Sequence, residues 1–237
     1  MLAQNATQIV LASSRVINPN LTETDFNNWY NTVLLPGFME HQNASLGVRY
    51  RATNRHNVSA SQYLAIYKTR SAPSSWSTEA VFSLAERTDA GIAKRDIGPE
   101  DVAIELSTWN PIQTFESLRE KTGQIPPGRP KIVVVVKIEP RAEDEDGTEL
   151  EDWYRKQHLD MLSMLPNYRR STRYRSADGS KPRWLAIHEQ DTPDIDPYAG
   201  QVMMNTEYWH KVFTGIKIFD ATHWEYYFEA GNSTEKI

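Results

Sequence analysis

The 237-residue chain has no cysteine. Disulfide frameworks, thiolate metal sites and a cysteine nucleophile are therefore excluded. Long apolar runs are missing too. The longest aliphatic stretch is Ile132 to Val136, far short of the ~20 residues a membrane helix needs. The start, Met1-Leu2-Ala3-Gln4-Asn5, has no basic segment leading into an apolar one, so no secretory signal is expected. Positive charge is not in excess: 26 Lys and Arg stand against 31 Asp and Glu, a net charge of −5. That balance argues against nucleic acid as a partner. No G-x-G-x-x-G, G-x-x-x-x-G-K-[ST] or G-x-S-x-G occurs, which disfavours dinucleotide binding, phosphate-loop chemistry and a serine hydrolase. No H-x-x-x-H or H-E-x-x-H spacing supports zinc, so no metal is expected. Five N-x-S/T sequons (Asn5, Asn20, Asn43, Asn57, Asn232) read as polar-loop composition, given that no secretory signal is expected. The remaining expectation is a soluble, cytoplasmic, globular protein with a small-molecule partner and no membrane contact.

What is present is a repeat. Thr24-Asp25-Phe26-Asn27-Asn28-Trp29-Tyr30 resembles Thr148-Glu149-Leu150-Glu151-Asp152-Trp153-Tyr154, 124 residues on. Arg49-Tyr50-Arg51 matches Arg173-Tyr174-Arg175 at the same offset, and Tyr63-Leu64-Ala65-Ile66-Tyr67 matches Trp184-Leu185-Ala186-Ile187-His188 at 121. The segment 121–130, rich in proline and glycine, suits a linker. The halves are then 1–120 and 131–237.

Each half reads as strand, helix, strand, strand, helical segment, strand. In the second half the spacing predicts a strand over Lys131–Glu139 and a helix from Thr148, capped by the Thr148/Glu151 box, to about Leu165. Strands follow over Tyr168–Ser176 and Arg183–Glu189 around an Asp178-Gly179 turn, then one helix within Pro197–His210 and a strand over Lys217–Phe228. The first half repeats this with strand Thr7–Ile17, helix Glu23–Leu35, a helix within Trp76–Arg87 and a strand near Val102–Trp109. The order is that of the β-α-β-β-α-β ferredoxin-like unit. The predicted fold is α+β, with two tandem ferredoxin-like repeats forming a pseudo-dimeric α+β barrel. A homodimer through an exposed sheet edge is the alternative to a self-sufficient chain.

Strand alternation then sorts the candidate site. Tyr63, Ala65 and Tyr67 share one face, as do Trp184, Ala186 and His188, and both faces are expected to turn into an enclosed cavity. Leu64, Ile66, Leu185 and Ile187 would lie beneath the helices. Polar aromatics around an alanine suit a pocket wall, although a closed barrel could equally fill itself with them. On the second-half helix, His158 interrupts a stripe of Leu150, Tyr154, Met161 and Leu165, where the first half has Leu34. Two readings stand. His158 is either an acid/base group or a buried histidine bonded to a carbonyl or to Asp152 or Tyr154. Arg49, Arg51, Arg173 and Arg175 read better as charges on an exposed or edge strand than as an anion clamp. Glu143 to Asp146 reads as a solvated loop, and His41 and His56 as loop residues. His223, Glu225 and Tyr227 share a face of the last strand and would add binding groups if that face turns inward.

Trp153-Tyr154-Arg155-Lys156-Gln157-His158, Leu165-Pro166-Asn167-Tyr168-Arg169-Arg170 and Arg173-Tyr174 resemble the EthD-type branch of the dimeric α+β barrel superfamily. Asn167 stands where that pattern has glycine. The motif is complete only in the second half. The resemblance suggests a fungal, tandem-fused member of a type associated with natural-product pathways. It implies a cofactor-independent lyase or isomerase (dehydration, decarboxylation or cyclisation) acting on an aromatic or polyketide-derived intermediate. The alternatives are a cofactor-free monooxygenase and a non-catalytic binding or stress protein. Haem-binding relatives would need only a histidine such as His158 or His223. His158 is the candidate carried by the motif. Tyr67 and His188 join it as catalytic candidates from strand geometry, and Tyr63, Trp184, Tyr154, His223 and Tyr227 as substrate-binding ones. No cofactor is expected.

Overall fold

The computed structural model describes residues 7–41, 43–53, 60–69, 80–83, 97–194 and 196–237. His56 and most of the Trp76–Arg87 helix expectation lie outside them, although 80–83 is helical. The chain divides into two compact units. One comprises Met1–Asn110 and Tyr226–Ile237, the other Pro111–Glu225.

In the first unit, β1 (Gln8–Val16) leads to α1 (Glu23–Trp29), a π-helical turn (Tyr30–Leu34) and α2 (Leu35–His41). Then come β2 (Ala44–Ala52), β3 (Tyr63–Thr69) and β4 (Val102–Glu116). Pairing is antiparallel in the order β4-β1-β3-β2. Thr22 caps α1 by accepting the Asp25 N–H at 3.1 Å. The helical stretch outruns the expected end at Leu35. Pro36 follows directly on the π turn within this unbroken helical stretch, and His41 closes it instead of lying in a loop.

In the second unit, a short α3 (Leu118–Lys121) precedes β5 (Ile132–Glu139), α4 (Thr148–Trp153), a second π turn (Tyr154–His158) and α5 (Leu159–Ser163). β6 (Tyr168–Ser176), β7 (Trp184–Gln190), α6 (Pro197–Met203), α7 (Glu207–Phe213) and β8 (Ile218–Gly231) follow; β8 belongs to the first unit from Tyr226 on, as β4 belongs to the second from Pro111 on. Its order is β8-β5-β7-β6, again antiparallel.

Local chemistry explains the departures from expectation. The single helix over Pro197–His210 is two helices, because the Thr206 hydroxyl accepts the Trp209 N–H at 3.0 Å and starts a new one. The Thr148/Glu151 capping box does not form. Gly147, at φ 74°, holds the cap position, and the Asp144 carboxylate accepts the N–H groups of Glu149 and Leu150 at 2.9 and 3.1 Å. Asp144 is accordingly buried within the run read as a solvated loop, while Glu143, Glu145 and Asp146 are exposed.

The faces of the sheets are the reverse of those expected. Tyr63, Ala65 and Tyr67 pack with Phe26, Trp29, Tyr30 and Leu34 of the first helix. Trp184 and Ala186 pack with Leu150, Trp153, Tyr154 and Leu162. Leu64, Ile66, Leu185 and Ile187, also buried, point the other way. Alternation fixes which residues share a face but not which face meets the helices. Here the polar tips decide it, because their partners are on the helices: the Trp184 Nε1–H donates to Glu151 at 3.1 Å and Asn27 donates to the Tyr63 hydroxyl at 3.2 Å.

Candidate active site

The helix carrying His158 is fixed at its start. Gly147 lies against Trp184 so closely that a Cβ there would meet the indole Cζ2 at 2.1 Å. Seven residues past the cap the helix widens, and the Leu159 N–H bonds to the carbonyl of Tyr154, five residues back. This extra residue shifts the buried stripe. Leu159, Leu162 and Leu165 are buried, not His158 and Met161, which are intermediate. The first unit makes the same π turn 124 residues earlier, with the Leu35 N–H on Tyr30. Single π turns within α-helices occur often at functional sites.

His158 is thereby rotated to the edge of the helix with one nitrogen inward. Its ring stacks on Trp153, centroids 4.1 Å apart, and stands edge-on to Tyr154 at 5.3 Å and His188 at 5.9 Å. Its Nδ1 is buried and has no hydrogen-bond partner among the described residues, and neither has the Trp153 Nε1–H beside it. Neither of the bonds that would make His158 a purely structural histidine, to a carbonyl or to Asp152 or Tyr154, is made at Nδ1. Burial first, then His188 and Arg173, hold its pKa well below the ordinary histidine value, so it rests neutral.

His188 is held from the sheet. A bulge in β6 between Tyr168 and Arg170 sets Ser171 opposite it, and Ser171 Oγ lies 2.6 Å from His188 Nδ1. The Tyr168 hydroxyl is 2.8 Å from Ser171 Oγ and 3.2 Å from the Phe115 carbonyl. A hydroxyl has one proton, and the shorter contact is to serine. Tyr168 then donates to Ser171, Ser171 donates to Nδ1, and His188 carries its own proton on Nε2. Burial, Arg173 and His223 lower its pKa to about 3. His223 is in register with Val134 of β5, as is His188 on the other side, so the two histidines share a face. His223 itself is exposed.

Arg173 forms the floor. It is buried, with its guanidinium carbon 4.0 Å over the Tyr154 ring, an Nη 2.8 Å from Glu151 and another 2.9 Å from Gln113. Arg49 is likewise buried, so the reading of these strands as exposed or edge fails at both positions: the flat guanidinium stacks beneath the π turn. Tyr154 is pushed up to about 12 by burial, against the pull of Arg173. A cavity of 360 Å³ opens beside Glu151 and is lined also by Thr148, Asp152 and Arg175.

The second unit thus brings together His158, His188, Tyr154 and Trp184, with His223 at the rim. Tyr63, Tyr67 and Tyr227 belong to the first unit. There the Tyr67 hydroxyl is 3.0 Å from that of Tyr30, Tyr63 bonds Asn27, and Tyr227 lies under Arg49 and Arg51. Ser171, Tyr168, Trp153 and Glu151 were not among the predicted site residues. The repeat held a signal for Ser171, which stands where the first half has Gly47. Among the described residues no group of three or more His, Asp or Glu side chains is placed to hold a metal.

No family model matches the chain. Core atranone cluster protein 1 of Stachybotrys chlorohalonatus is 25% identical over 210 residues, which cover 81% of this chain and 86% of that protein. Two solved structures share the fold. One is a chlorite dismutase variant from Candidatus Nitrospira defluvii (10% identity, 95% of this chain and 92% of that one, TM-score 0.58). The other is an anthrone oxidase-like protein (12% identity, 100% and 98%, TM-score 0.55). The fold is that of the dimeric α+β barrel proteins. No helix among the described residues is long and apolar enough to cross a membrane.

Proposed function

We propose that this protein is a cofactor-independent lyase or isomerase, an EthD-like pair of tandem ferredoxin-like repeats acting on an aromatic or polyketide-derived intermediate. One observation carries the reading. His158 leaves a buried nitrogen unpaired at a position the first unit fills with Leu34. An unsatisfied buried acceptor costs about 1–3 kcal/mol, so packing alone favours leucine. The neighbouring unpaired Trp153 N–H doubles the anomaly. The fungal cluster protein supports a natural-product substrate.

In this reading the neutral His158 takes a proton at Nδ1 from a carbon or hydroxyl activated by a neighbouring carbonyl. The imidazolium is steadied by the Trp153 face at 4.1 Å. Burial and Arg173 disfavour it, so the proton returns within the same turnover, to a departing hydroxyl or to another carbon. His188, donating from Nε2, and Arg173 stabilise the oxyanion formed in between. Aromatic walls orient the substrate.

A comparison of metabolites between the intact gene, a deletion and a His158→Ala replacement tests this. The same precursor accumulating in deletion and replacement is the expected result, and the precursor–product mass difference names the reaction. A gain of oxygen, with oxygen uptake by the purified protein, would favour the cofactor-free monooxygenase. If neither change alters the metabolites, the protein is a carrier and the catalytic reading fails.

A further inference from the structure

The repeat allows one unit to be read against the other. Arg49 and Arg173 are 124 residues apart, both buried, and each sits 4.0 Å over the tyrosine that opens a π turn. Their counter-charges differ. Arg173 is paired with Glu151 at 2.8 Å. The residue equivalent to Glu151 is Asn27, which gives Arg49 only an amide oxygen at 2.8 Å; Asn31 gives another at 2.5 Å. Among the described residues Arg49 has no carboxylate, and its Nε has no hydrogen-bond partner. Glu23 is engaged by Arg51 at 3.3 Å and by the Tyr63 hydroxyl.

A guanidinium does not escape burial by losing its proton. The first unit therefore keeps an uncompensated cation, ringed by Phe26, Tyr30, Tyr63 and Tyr227 with centroids 4.0–5.5 Å from its carbon. Tyr63 also lines a cavity of 490 Å³ together with Leu21, Glu23 and Gln62. Tyr63, held by a hydrogen bond from Asn27 and 5.5 Å from the Arg49 carbon, is the residue that the cavity and the charge have in common.

We propose that the first unit is a second small-molecule site, which takes an anionic aromatic ligand whose carboxylate or phenolate supplies the counter-charge that Glu151 supplies in the second unit. Arginine favours such planar anions, Tyr63 presents a ring to the cavity, and the cavity volume is in the range of ordinary ligand pockets. This site is independent of His158.

Calorimetric titration of the full-length protein with 2-naphthoate tests it, with uncharged 2-naphthamide as the comparison. Asn27→Glu builds the missing internal ion pair and so competes with the ligand while preserving the fold. Gln62→Trp fills the cavity without touching Arg49, and serves if the first variant fails to fold. Saturable binding of one naphthoate, weakened about ten-fold or more in the amide and in either variant, is expected. Absence of saturable naphthoate binding, or binding undiminished in the folded variants, overturns the proposal.

Discussion

Ser171 Oγ lies 2.6 Å from His188 Nδ1, across the β6–β7 ladder from it, where the first unit sets Gly47 against Tyr67. The pair is a substitution in two places at once. Tyr67 needs no partner from β2, because its hydroxyl meets Tyr30. A histidine in that slot has a nitrogen facing the sheet, and serine answers it. The hydrogen bond also fixes which nitrogen faces the helix.

Ser171→Gly, which copies the first unit, is expected to leave Nδ1 unpaired and to lower stability by about 1–3 kcal/mol. It should also release the tautomer, so that His188 no longer keeps its proton on Nε2 alone. Nitrogen-15 NMR of the imidazole reads the second effect and urea unfolding the first. An unchanged imidazole spectrum would refute the assigned proton position.

His158→Leu copies the other unit as well. It removes an unpaired buried acceptor and supplies the side chain used at Leu34, so stability should rise or hold, by up to about 1 kcal/mol. Turnover should be abolished. A variant that is both less stable by more than about 2 kcal/mol and still active would make His158 a structural residue.

The internal similarity, most of the strand positions and the choice of His158 as a candidate come from local periodicity and from comparison of one half with the other; β4, expected near Val102–Trp109, runs on to Glu116. Tyr168–Ser176 is a strand from end to end as expected. Three features were not readable. Alternation carries no sign, so Trp184 and Tyr63 were assigned to the wrong side of their sheets. The π turn at Tyr154 adds a residue to the helical phase with no glycine or proline beside it, unlike the turn at Tyr30, which Pro36 and Gly37 follow, and this moves the stripe from Met161 to Leu162. The cap of α4 comes from Asp144, hidden in a run of acids that looked uniform.

Stability should fall in mild acid. His188 has a pKa of about 3 in the folded protein, while an unfolded histidine titrates near 6.5. Between those values the unfolded chain holds a proton that the folded one does not. Stability is therefore full above about pH 6.5 and declines as pH drops towards about 3, by up to about 1.4 kcal/mol per pH unit for one such group. His158 acts in the same direction. Urea midpoints measured between about pH 7.5 and pH 5 should show the decline, with a shallower slope in His158→Leu. A flat profile would show that neither imidazole is kept neutral by burial.

Two glycines with nearly equal backbone angles separate strain from collision. Gly147 has φ 74° and Gly179 has φ 76°, so alanine meets the same left-handed penalty at both, about 1–2 kcal/mol. Nothing lies within 4 Å of a Cβ at Gly179, whereas at Gly147 three indole carbons of Trp184 lie within 2.9 Å of it. Gly179→Ala should show the backbone penalty alone. Gly147→Ala should cost clearly more, since Trp184 must move, and its Nε1–H bond to Glu151, the partner of Arg173, moves with it. Urea unfolding gives the two energies, and tryptophan fluorescence should change only in the Gly147 variant. Equal losses would mean that the indole yields freely, and that Glu151 holds Arg173 without help from Trp184.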